Sequence, residues 1–186
     1  MEYQNNDQNR INDLISKLGN DDGFVREDAR SGLISVGKEA IPALTIALKS
    51  KSQRIRWEAA KTLGSIADPA AIPNLIEALQ DEVFDIRWLA AEALIAIGKE
   101  SIEPLLRAVI NQSNESFLSE GAHHVITYIM PSISITDELT EILKPLKSAL
   151  DRGSPRAMGA AAAEAALAKL KQLKKKQKNN KNEEFA

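Results

Sequence analysis

The chain contains no cysteine, which excludes disulfides and thiolate metal sites and leaves the redox compartment undetermined. Aromatic residues make up only 4%, with two Trp, two Tyr and four Phe. A core must therefore be built from Leu, Ile, Val and Ala, which favours closely packed helices over a strand-rich sandwich. Histidine occurs twice, at His123 and His124. Two adjacent histidines cannot supply a Ser/His/Asp set, and the sequence carries no glycine-rich phosphate loop and no thiol nucleophile. The N-terminus, "MEYQNNDQNR", has no basic segment followed by an apolar one, and nowhere do about 18 strongly apolar residues run together. No membrane span is expected, and a cytoplasmic location is.

Of the 186 residues, 44% are hydrophobic and 27% charged, as in an ordinary globular protein of one folded unit. The net charge of −2 is unevenly spread. Residues 169–186 carry seven Lys against Glu183 and Glu184, which is +5, and the rest of the chain is −7. An acidic body argues against a duplex-DNA binder, whose affinity needs a basic face against the phosphates.

The dominant feature is an internal repeat. "VREDARSGLISVG" from Val25, "IRWEAAKTLGSIA" from Ile55, "IRWLAAEALIAIG" from Ile86 and a degenerate "FLSEGAHHVITYI" from Phe117 align without gaps, their starts 30, 31 and 31 residues apart. Each is preceded by a shorter matched segment: "DLISKL", "AIPALTIAL", "AIPNLIEAL" and "SIEPLLRAV". Each unit therefore reads as a pair of helices. At about 100° per residue, Ile55, Ala59, Leu63 and Ile66 form one apolar stripe, with Trp57 and Lys61 on the far side. Pro42 and Pro73 suit a first helical turn, and Gly37 and Gly98 suit helix ends. Ala60, Gly64, Ala91 and Gly121 are small residues that let neighbouring second helices approach closely.

A fifth, irregular pair follows. Thr136, Asp137 and Glu138 signal a helix start, and a last helix begins near Pro155, with Arg156 in the place of Arg26, Arg56 and Arg87, 38 residues after the matching Leu118 of the fourth unit instead of 31. Single helix pairs cannot bury their apolar faces alone, so consecutive pairs stack. The expected fold is all-α: a right-handed α-solenoid of about five HEAT-like helical hairpins over residues 9–170, with a disordered tail at 1–8 and a basic, disordered tail at 171–186.

The run "AIPALTIALKS…RIRWEAAKTLGSIADPAAIPNLIEALQDEVFDIRWLAAEALIAIG" resembles the HEAT-like repeats of the phycobilin lyase type, clearly from Asp13 to Asn111 and weakly beyond. The resemblance implies that the second helices line a concave face and that the positions after the helix-starting Arg meet the partner; here these are Trp57, Glu58, Trp88 and Leu89. The same repeat serves scaffolds, bilin lyases, a diiron hydroxylase and an alkylpurine DNA glycosylase, so fold alone does not give function. The Asp that accompanies the Arg in such repeats is matched near Asp21 and Asp81 and is Ser50 in the second unit.

Trp57 and Trp88 hold the same position on adjacent second helices, about 9–10 Å apart in packed pairs, and read as an aromatic platform for a partner. Glu27, Asp28, Glu58, Glu92 and Glu120 surround it, with Lys61 as the opposing charge. Acids around aromatic faces suit Lys or Arg side chains, so the expected ligand is a basic peptide or protein segment, contacted by Trp57, Glu58, Lys61, Trp88, Leu89, Glu92, Glu120 and His123. The recurring Arg26, Arg56, Arg87 and Arg156 are read as structural, bonding the preceding loop or the neighbouring repeat.

Glu120, His123 and His124 have the E-x-x-H spacing that gives half of a diiron site, but the other helices offer no matching histidines and no metal is expected. Trp88 with Glu92 as a glycosylase pair conflicts with the acidic body. On these grounds the chain reads as a non-catalytic protein-interaction scaffold without cofactor. The alternatives are a phycobilin lyase-like, chromophore-binding enzyme or chaperone, and then a nucleic-acid-binding HEAT-like protein, for which the lysine-rich tail would be the steering element.

Overall fold

The computed structural model describes residues 2–111, 116–132, 138–150 and 156–184. Its helices are α1 (Glu2–Lys17), α2 (Gly23–Val36), α3 (Ile41–Ala47), α4 (Gln53–Ile66), α5 (Ile72–Ala78), α6 (Phe84–Ile97), α7 (Ile102–Asn111), α8 (Ser116–Ile129), α9 (Glu138–Leu150) and α10 (Arg156–Glu184). Short 3₁₀ turns precede α3, α5 and α7. The fold is all-α and of the solenoid type, five successive helix pairs with no strand among the described residues. The chain divides into two compact units, residues 1–97 and 98–186, where the sequence suggested one.

In the first unit each helix pair packs internally and its second helix lies beside the next one, α2 on α4 and α4 on α6. Leu33, Ala59, Leu63, Ala90 and Leu94 are fully buried along these helices, the stripe that the repeat specifies. Close approach of α4 and α6 depends on small residues. A Cβ added at Gly64 would lie 3.3 Å from that of Ala93. Helix starts are fixed by local chemistry: the Asp22 carboxylate accepts from the Phe24 N–H at 2.9 Å, and Pro42 and Pro73 sit in the first turns of α3 and α5, where the missing donor costs nothing. Helices α2 and α6 end at Gly37 and Gly98, with φ of 73° and 86°.

In the second unit α7 packs on α8, α8 on α9 and α9 on α10, and α10 then lies along α7. In the last pair the second helix thus meets a first helix, whereas in the first unit the second helices meet one another. Thr136, Asp137 and Pro155 lie outside the described residues. The basic segment expected to be a tail from residue 171 is instead helical to Glu184, and the segment 1–8 lies in α1 from Glu2 onward. Ala163, Ala166, Leu167 and Leu170 are buried along one side of α10, so the helix is anchored by packing well before its lysine-rich end.

Candidate functional site

The recurring arginines come first, because they fix the start of each second helix. Arg26 donates through one guanidinium nitrogen to the carbonyls of Asn20 and Asp21, at 2.8 and 2.9 Å. Arg56 does the same to Ser50 and Lys51, and Arg87 to Asp81 and Glu82. Loop carbonyls that no helix satisfies thus gain donors. Arg56 also reaches the next loop and grips Asp81 through two nitrogens, at 2.7 and 3.1 Å; this pairing raises the guanidinium pKa above its usual value. The accompanying Asp residues do not form a regular ladder: Asp81 is held by the preceding repeat, and Asp21 by Arg54 of the following one at 2.6 Å.

On the opposite side of these helices, Trp57 is partly covered by Lys61, whose ammonium lies 4.7 Å from the ring centroid. Trp88 is 45% exposed and stands 6.3 Å from the Phe84 ring one turn earlier, with the Arg87 guanidinium 5.6 Å from Phe84. Phe84 is itself 58% exposed. The sequence reading missed it, although its i, i+4 relation to Trp88 was the available signal. Leu89 is half-buried and Glu92 exposed. Glu120 is exposed and His123 half-buried on α8, in the second unit. No cluster of metal-binding side chains exists among the described residues, and the His124 ring packs at a tilt against that of Tyr128, centroids 4.6 Å apart.

Glu58 requires a correction. It is only 3% exposed and accepts from Arg26 at 3.1 Å and Arg30 at 2.6 Å. A carboxylate buried between two guanidinium groups is already neutralised and offers nothing to a basic ligand. With Glu58 turned inward, the charges on α4 and α6 near Trp57, Phe84 and Trp88 are Lys61, Asp85, Arg87 and Glu92, a mixed set, while Glu27 and Asp28 remain exposed on α2.

The family model for HEAT repeats matches the chain over residues 11–95 and 41–127. Comparison with curated proteins gives no match. Among solved structures, the chain is similar to one in the complex of CpcE and CpcF of phycocyanin lyase from Nostoc sp. PCC7120, with a TM-score of 0.53 and 24% identity over 84% of this chain and 96% of that one. The likeness is one of fold. It overturns the expectation of a non-catalytic scaffold with no enzymatic role, because that expectation stood on the lack of an assembled catalytic set. Such a lack does not separate this fold from one carried by a lyase complex. No described helix is long and apolar enough to cross a membrane.

Proposed function

The chain belongs to the HEAT repeat family, and from that premise we propose that it is a phycobilin lyase-like protein that handles a linear tetrapyrrole together with a protein partner. The observation that carries the reading is the shared fold with a chain of the phycocyanin lyase complex, spanning nearly the whole of that chain. The exposed pair Phe84 and Trp88 supports it as the place where a partner docks, since rigid aromatics on an accessible face are the usual anchors of protein interfaces. Lys61 and Arg87, each held against an aromatic ring, present fixed cations beside them. Glu92, Leu89 and the half-buried Trp57 complete that face within the first unit.

The test is to supply the full chain with a linear tetrapyrrole and a phycobiliprotein acceptor subunit, with and without a second HEAT-repeat lyase subunit, and to follow absorbance and chromophore attachment to the acceptor. Attachment above that of the tetrapyrrole and acceptor alone is expected. A Trp57→Ala/Trp88→Ala variant of unchanged helicity is expected to lose partner capture and attachment together. No gain over the uncatalysed mixture, under any pairing, would remove the reading.

A further inference from the structure

Because α10 lies along α7, the second unit contains a cleft of about 590 Å³ between α7, α9 and α10, a size common among small-molecule sites. Ile102, Leu139, Leu170 and Leu173 form its apolar side. Its charged side holds Lys99, Arg107 and Lys174 against Glu100 and Glu103. Glu103 accepts from Arg107 at 2.7 Å and from Lys174 across the junction of α7 and α10. One carboxylate therefore bridges two cations, and each of these keeps further donors.

The surroundings reinforce the positive sign. Lys171 and Lys178 are exposed on α10, each within about 60° of Lys174 at helical spacing, whereas Lys175 turns away from Leu173. No acidic residue occurs on α10 between Glu164 and Glu183. The lysine-rich end, read from sequence as a solvated tail, thus places Lys174 at the edge of the apolar wall, with Lys171 and Lys178 flanking it.

We propose that this cleft binds an amphipathic organic anion, an apolar body ending in carboxylates, with the body against Leu139, Leu170 and Leu173 and a carboxylate on Arg107 and Lys174. In the resting protein Glu103 occupies the place of that carboxylate as an internal counter-ion. Long-chain fatty acids and linear tetrapyrroles with propionate arms share this chemistry. In its tetrapyrrole form the inference rests on the lyase-like reading; in its fatty-acid form it does not.

The experiment titrates the full chain with palmitate and, separately, with biliverdin, by calorimetry and absorbance. Three proteins are compared: the wild type, an Arg107→Gln/Lys174→Gln variant and a Glu103→Gln variant, each checked for helicity. Both cations are more than half exposed, so their removal leaves the fold in place. The double variant is expected to weaken binding by about tenfold or more, the scale of losing a charge-assisted hydrogen bond. Glu103→Gln is expected to tighten it severalfold by freeing both cations, whereas a purely structural role for Glu103 would give weakening. Palmitate binding with this pattern and no biliverdin binding sustains the cleft and counts against the lyase-like reading. Biliverdin bound equally by all three proteins overturns the cleft and leaves that reading standing. Binding of neither probe overturns the cleft.

Discussion

Ala67 adopts a left-handed backbone, with φ of 52°, at the end of α4, where the matching ends of α2 and α6 use Gly37 and Gly98. A Cβ in this region costs on the order of 1 kcal/mol. Ala67→Gly is therefore expected to stabilise the protein by roughly 0.5–1 kcal/mol despite its freer unfolded chain, read as a higher denaturant midpoint at unchanged slope. Glu58→Leu should act in the opposite sense. It copies the residue at the matching position, Leu89, yet leaves Arg26 and Arg30 without their shared carboxylate, and a loss of about 2 kcal/mol is expected in the same assay. Neither effect was visible from residue types alone. The Arg-Glu pairs lie 28 and 32 residues apart, close to one repeat period, so the repeat itself held the clue; which face Glu58 turns to depends on packing.

Among the elements, most of the helix pairing was legible because period, proline and glycine agree from Asp13 to Asn111. What escaped was the part of α10 beyond residue 170: its composition suggested a solvated terminus, whereas the helix continues to Glu184 and the Lys174–Glu103 pair ties the lysine-rich segment to α7. Gly64→Leu is expected to push α4 from α6 and cost about 1–3 kcal/mol, measured by thermal melting. Pro145 lies inside α9 and is exposed. Pro145→Ala restores a backbone donor and should stabilise the protein, by no more than the roughly 3 kcal/mol cost of an interior proline, read as a higher melting temperature. Lys174 and Arg107 hold the Glu103 carboxyl below its ordinary pKa. A depressed carboxylate stabilises the fold above its unfolded pKa, and that contribution disappears as pH falls through the folded value. Acid titration below the usual glutamate range should therefore remove this small contribution, seen as a falling melting temperature with α10 still docked on α7, and Glu103→Gln should abolish that step.

For the whole molecule, division into two compact units changes what a truncation means. Removal of residues beyond Leu167 would strip Leu170 and Lys174 from α10 and uncover part of α7. The expected result is loss of amide protection in residues 98–167 with protection in residues 1–97 retained; uniform protection in both segments would show that α10 past Leu167 is dispensable. The candidate site was legible only in part. The two tryptophans stood out through the repeat, while the cleft of the second unit depends on α10 crossing to α7, a pairing that a regular 31-residue period does not contain.

The arginines at the helix starts also act as gauges of chain length. Each reaches back to the carbonyls five and six positions earlier, and it reads backbone, not side chains. Apart from Asp21, Asp22 and Asp81, whose carboxylates are themselves held, those turns are therefore constrained less in which residues they have than in how many. Evolutionary drift across them should take the form of substitution, with insertions and deletions pushed to the connections that no such guanidinium measures.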